Sequence, residues 1–207
     1  NIEYIVVDGQ STDSTLEILE KYRDGISAVI SEPDFGQSHA INKGIGLASG
    51  EFIGWLNSDD ILYNDSISVI VQAFANNQDA EVVYGNVDYG SSTQTINHTI
   101  YGSPFEFVDA FRRLSIPMPQ QGCFWRRSAL VKCGSLDEEL HYVLDRDYFI
   151  RLADKCSLVY VNMSLGLFRS NPNSKSVLLS PKWSSELIQL YSYYFSSSCI
   201  CHSIHRY

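Results

Sequence analysis

The chain predicts a mixed α/β fold, a mainly parallel sheet flanked by helices. Three observations predict it. Short apolar runs of strand length alternate with segments whose apolar residues recur at helical spacing. Of 207 residues, 44% are hydrophobic, enough to fill a proper core. No internal repeat or extended low-complexity tract breaks the alternation. Such an order of elements builds a sheet covered on both faces, and ligands of such sheets bind beyond the carboxyl ends of the strands.

The elements follow in order. Ile2 to Val7 reads as a buried strand, and Asp8-Gly9-Gln10-Ser11 turns into a helix with Leu16, Leu19 and Tyr22 on one face. Ser14 with Glu17 suits a capping box, with Ser11 or Thr12 as alternative caps. A strand from Ile26 to Ile30 precedes a turn through Pro33-Asp34-Phe35-Gly36. A helix from about Ser38 to Ala48 stops at Gly50, and Glu51 to Leu56 is the next strand. A helix then runs from Asp65 to about Asn76, a strand from Val82 to Val87, and Gly90-Ser91-Ser92 marks a hairpin or loop. A helix around Phe105 to Leu114 comes before Ile116-Pro117-Met118-Pro119, whose prolines favour a mobile loop. Gln121 to Trp125 reads as a strand, Ser128 to Cys133 as a short helix and Asp145 to Lys155 as a longer one. Trp183, Leu187, Leu190, Tyr191, Tyr194 and Phe195 form the apolar face of a further helix.

Composition excludes several functions. A formal charge of −9 without a basic stripe argues against a nucleic-acid partner. No run approaches the roughly 18 apolar residues of a membrane span, and no secretory signal opens the chain. The sequence therefore reads as cytoplasmic, with the inner face of a membrane as the alternative. Five scattered cysteines read as buried or free thiols rather than a zinc site. Both ends read as cut: Asn1 lies almost inside the first strand, and the stretch from Ser196 to Tyr207 has no periodicity.

The chemistry concentrates at Asp59 and Asp60, two adjacent carboxylates at the mouth of an apolar strand with no basic residue beside them in sequence. Two such acids repel unless a cation or a proton intervenes, and Mg²⁺ or Mn²⁺ prefers carboxylate oxygen. An ordinary helix cap or turn is the alternative. Asp8 ends the first strand, so all three carboxylates are expected on one sheet edge.

Several ordered blocks carry a resemblance. Asp8-Gly9-Gln10-Ser11-Thr12-Asp13-Ser14-Thr15, Asp34-Phe35-Gly36-Gln37-Ser38-His39-Ala40-Ile41-Asn42-Lys43-Gly44 and Trp55-Leu56-Asn57-Ser58-Asp59-Asp60 resemble the signature blocks of family 2 glycosyltransferases. Gly122-Cys123-Phe124-Trp125-Arg126-Arg127, Asp137-Glu138-Glu139-Leu140 and the segment from Asp145 to Leu152 resemble that family's acceptor side. The resemblance implies a Rossmann-like GT-A fold over residues 1–175 lacking its opening strand, followed by a helical extension and irregular tail over 176–207. It implies an inverting, metal-dependent transfer from a nucleotide-sugar donor, a UDP-sugar first, to a saccharide or lipid-linked acceptor in cell-surface polysaccharide or glycolipid synthesis. Asp8, Ser58 and Asp59 would then bind the nucleotide, Asp60 with Asp59 the metal, and Asp145 would be the catalytic base. Leu144 stands where the family's usual glutamate precedes that base. A non-catalytic fragment keeping part of the pocket, and a sugar nucleotidyltransferase, are the alternatives.

Other residues carry two readings each. Asp145 could simply complement a helix dipole, and Asp147 competes for the role of base. Trp125, Phe124 and Tyr142 could line an acceptor pocket or belong to the core. His39 could touch phosphate or be structural. Arg126 and Arg151 could bind diphosphate or pair with acids at 137–147, and Lys43 reads as a solvated charge. The Trp183–Phe195 face could pack on the domain or make a weak peripheral membrane contact.

Overall fold

The computed structural model describes residues 1–171 and 181–196. The expected tail from Ser196 onward, and the 175/176 boundary, fall almost wholly outside the described residues.

Two sheets form. β1 (Ile5–Asp8) and β2 (Ala28–Ser31) pair in parallel, joined by α1 (Thr15–Lys21). After α2 (Gln37–Leu47), β3 (Phe52–Ile53) enters a second, six-stranded sheet instead of extending the first. That sheet adds β4 (Ile61–Leu62), β5 (Val82–Ser92), β6 (Thr95–Ile100), β7 (Cys123–Arg126) and β8 (Leu158–Arg169). Its path is β3-β7-β5-β8-β4, with β6 hairpinned onto β5. The mixed α/β class stands, but the parallel pairing expected from the strand–helix alternation is confined to β1 with β2 and β5 with β8, the other pairs being antiparallel. The reason lies in the second half, where hairpins and returning strands replace crossover helices.

β5 is the axis of the molecule. Successive residues point to opposite faces, so Val82 and Tyr84 enter one core cluster and Val83 the other. The smaller core is sealed by Ile70, Ala73 and Phe74 of α3 (Ser66–Asn76). The larger holds Trp125 with residues of α4 (Phe107–Arg112), α5 (Ala129–Cys133), α6 (Leu144–Lys155) and α7 (Pro181–Ser196). The proline segment before β7 is irregular as expected, yet Met118 anchors it in this core at 3% exposure. By contrast α1 buries nothing, and Leu16, Ile18 and Tyr22 stay exposed. Its expected Ser14 cap is absent; Asp13 Oδ1 instead accepts the Thr15 N–H.

α7 packs on the domain. Leu190, Tyr191 and Tyr194 are buried, and Tyr191, Tyr194 and Phe195 surround the Phe111 ring. Its Glu186 carboxylate accepts the main-chain N–H groups of His141 and Tyr142, at 3.2 and 2.7 Å to Oε2, and so holds the segment that leads into α6. Glu186→Ala removes the acceptor of both bonds where water can reach the freed N–H groups, and is expected to destabilise the fold by about 0.5–1.5 kcal/mol. A urea denaturation midpoint equal to wild type would show that this clamp contributes nothing.

Candidate active site

Beyond β3 the chain turns through Asn57 to Asp60, closed by the Asp60 N–H on the Asn57 carbonyl at 3.1 Å. Asp60 is buried at 8% exposure. Its Oδ2 accepts from Gln121 Nε2 at 2.8 Å and Asn57 Nδ2 at 3.2 Å, and its Oδ1 from the Arg169 main-chain N–H at 3.0 Å. Asn57 is itself tied, giving Nδ2–H to Gln120 Oε1 at 3.2 Å and accepting Gln37 Nε2–H at 2.7 Å. Gln120 completes the set by donating to the Trp55 carbonyl at 2.6 Å. Burial pushes the Asp60 carboxyl above the ordinary carboxylate range, the Asp59 charge adds to the rise, and the Gln121, Arg169 and Asn57 donors only partly offset it. An anion so placed gains from a proton or a cation. Asp59 is half-buried, and Ser58 is exposed on the turn.

Asp8 sits in a separate nest. Ser11 and Ser31 hydroxyls donate to it, at 2.5 and 2.6 Å, with the Ser11 N–H 3.1 Å from Oδ2. The Ser11 hydroxyl first, then Ser31, hold its carboxyl below the ordinary range, so it stays ionised. Gly9 lets Asp34 close in beside it, since a Cβ there would stand 2.4 Å from Asp34 Oδ2 and would have to displace that carboxylate. Asp34 in turn accepts the Gly36 N–H at 2.9 Å, and Gly36, at φ 128°, opens α2. The next residue is Gln37, which reaches Asn57. Asp8 thus ends a strand of the small sheet while Asp60 follows a strand of the large one, so the three acids expected on one sheet edge stand on two sheets, and a run of contacts through Asp34, Gly36 and Gln37 at the start of α2 lies between them.

α2 also fixes the way into α6. Ser38 donates to the Leu140 carbonyl at 2.9 Å, and Asn42 both donates to the Leu136 carbonyl and accepts its N–H. Asp145 lies in the first turn of α6, one oxygen accepting the Arg146 N–H at 2.8 Å. It keeps part of its surface open, yet the dense packing around it pushes its carboxyl up, against the smaller opposing pull of Arg146. Asp147, two residues on, is turned away by the helical repeat. Arg151 pairs with it at 2.6 Å and Tyr194 donates to it at 3.1 Å, which makes it a joint between α6 and α7 rather than a free base.

Several expected ligands have other work. Trp125 and Phe124 are adjacent on β7 and therefore point to opposite faces. Trp125 is 0% exposed, edge-on to Trp55 and Tyr148 in the larger core, so no acceptor can stack on it. Phe124 packs against the smaller core, close enough to Gly54 that a Cβ there would meet its ring at 2.6 Å. Phe124 and Tyr142 are both half-buried, but they pack on different cores, Tyr142 at the entry to α6 and Phe124 on the face away from Trp125. Arg126 pairs with Glu51, and Arg151 is taken by Asp147. His39 Nδ1 accepts the Phe35 N–H at 3.0 Å and braces that turn. Lys43 is no solvated charge, since it pairs with Glu32 at 2.8 Å. The residues that sequence reasoning missed are Asn57, Gln120, Gln121, Gln37 and Arg169.

Among the described residues no group of three or more His, Cys, Asp or Glu could hold a metal ion by itself. Asp60 and Asp59 offer oxygen donors only. That donor set fits Mg²⁺ or Mn²⁺, which are bound through one or two carboxylates with water and substrate phosphate completing the shell.

The family model for "Glycosyl transferase family 2" matches residues 1–134. The chain belongs to that family. Among curated relatives, this family 2 chain is 27% identical over 213 residues to glycosyltransferase GlyG of Streptococcus pneumoniae, across 93% of itself and 69% of that protein. It is 26% identical over 163 residues to a PGL/p-HBAD biosynthesis glycosyltransferase of Mycobacterium bovis, across 77% of itself and 61% of the relative. It spans 62% of the length of the first relatives it matches. In fold it is similar to S. aureus TarS 1–349 in complex with UDP-GlcNAc, with TM-score 0.70, 18% identity and coverage of 91% of this chain and 56% of that one. It is also similar to the mannosyltransferase PcManGT of Pyrobaculum calidifontis in complex with GDP-Man and Mn²⁺, with TM-score 0.58, 14% identity and coverage of 83% and 49%. The GT-A architecture is thereby shared.

Proposed function

We propose that this family 2 chain is the donor-binding and base-bearing part of an inverting, metal-dependent glycosyltransferase. It moves a sugar from a nucleotide-diphosphate donor, a UDP-sugar first, to a hydroxyl of a saccharide or lipid-linked acceptor in cell-surface polysaccharide or glycolipid synthesis. The observation that carries the reading is Asp60, a buried carboxylate of raised pKa at the strand ends, held by three donors and joined to the start of α2 through Asn57 and Gln37. The nucleotide-sugar complexes of TarS and PcManGT, and the Mn²⁺ of the latter, support the same class.

In this reading the ionised Asp8, with Ser58 and Asp59, binds the nucleotide, and Asp60 with Asp59 holds the metal. A divalent ion there would stabilise the charge that gathers on the departing diphosphate. Asp145 takes the proton of the acceptor hydroxyl as it attacks the anomeric carbon, and Tyr142 flanks the acceptor. One base and one displacement invert the configuration. No described helix is long and apolar enough to cross a membrane, and we place the reaction in the cytoplasm, with at most a peripheral membrane contact.

Calorimetric titration of the chain with UDP and with GDP, each in Mn²⁺ and in chelator, tests this. Metal-strengthened binding that prefers one base is expected. A folded chain that binds neither would count for a fragment without function, and pyrophosphate release from a nucleoside triphosphate with a sugar phosphate would favour a nucleotidyltransferase.

A further inference from the structure

Resting on the donor site proposed above, we infer that the terminal guanidinium nitrogens of Arg169 bind the diphosphate of the donor. Arg169 is the last residue of β8, in register with Gly90 of β5. It meets the acid turn twice. Its main-chain N–H donates to Asp60 Oδ1 at 3.0 Å, and its side-chain Nε–H donates to the Asp59 carbonyl at 2.6 Å. The side chain is thus pinned through Nε while Nη1 and Nη2 make no hydrogen bond or ion pair among the described residues.

The arrangement is unusual for its surroundings. A guanidinium beside two carboxylates would ordinarily neutralise one of them. Here a neutral carbonyl holds it, and its charge and its outer N–H donors remain available on an exposed residue. Lys43, Arg126, Lys132 and Arg151 are each committed to a carboxylate elsewhere. The planar fork of an arginine suits two phosphate oxygens at once, and a polyanion arriving next to Asp59 and Asp60 needs positive charge to meet it. Pinning at Nε also means that little side-chain freedom is lost on binding.

A structural brace is the competing role, and the two separate on ligand choice. Arg169→Gln keeps the main-chain N–H on Asp60 and an amide donor for the Asp59 carbonyl, so the turn remains closed. UDP affinity, by calorimetry in Mn²⁺, is expected to fall about 10- to 100-fold, with uridine affinity, by ligand-observed NMR, unchanged; GDP and guanosine replace them if GDP binds tighter to wild type. Arg169→Lys, a point charge without the fork, recovers part of the loss. Unchanged diphosphate affinity in Arg169→Gln overturns the inference, as does an equal loss for diphosphate and nucleoside; the donor site then stands without it. Wild type that binds no nucleotide diphosphate overturns the donor site and this inference together.

Discussion

Asp145→Asn is expected to slow sugar transfer by about 10²- to 10⁴-fold and to leave nucleotide affinity nearly intact. The asparagine keeps shape and an oxygen for the Arg146 N–H but cannot take a proton. Because burial raises the Asp145 pKa, the wild-type rate should climb with pH along an acidic limb set above the ordinary aspartate range, and the variant should lack that limb. The sign for stability is opposite. A carboxyl whose folded pKa exceeds its unfolded one binds its proton more tightly when folded. Its stabilising share is therefore complete below the unfolded value and is lost as pH rises through the folded one. At neutral pH the asparagine removes that cost, so the urea midpoint of the variant should be no lower than that of wild type. Loss of transfer with undiminished stability would assign a chemical role; full turnover by the variant would remove Asp145 as the base.

Asp60→Asn should abolish the metal dependence of nucleotide binding. The wild type is expected to bind UDP more tightly in Mn²⁺ than in chelator, and the variant equally in both. Asparagine is the better test than alanine. Alanine would leave Gln121, Asn57 and the Arg169 N–H without their acceptor, each at a cost of about 1–3 kcal/mol, and a failed fold would imitate a failed site. Asparagine retains one accepting oxygen and removes the charge. Unchanged Mn²⁺-dependent binding in a folded Asp60→Asn protein would rule this residue out as the ligand.

Asp8, Asp59 and Asp60 stand out in the sequence because charge after an apolar strand is conspicuous, whereas Asp145, in the first turn of a helix, is singled out only by the family resemblance. The amides do not stand out. Gln120 and Gln121 follow the turn they hold by some sixty residues and carry no charge to draw attention, and only their place directly before a strand marks them. β8 is hidden for a different reason. Asn162, Met163 and Ser164 interrupt its alternation, and Gly166 reads as a breaker, whereas it is required because a Cβ there would meet the Ile61 carbonyl at 2.5 Å. Missing β8 meant missing Arg169. The aromatics on β7 are the reverse case, since the alternation of a strand already forbids Phe124 and Trp125 from facing one ligand.

The hold of Glu186 and Tyr194 on α6 has a consequence for how the protein is made. Chains emerge from the ribosome amino end first, at about 5–20 residues per second, and fold as they emerge. Everything that fixes Asp60, from Gln37 to Arg169, is available before α7 exists. The main-chain groups of His141 and Tyr142, and the outer oxygen of Asp147, find their partners only when α7 arrives. In the proposed reading, every residue that fixes the donor side is therefore synthesised before the α7 groups that clamp the entry to α6.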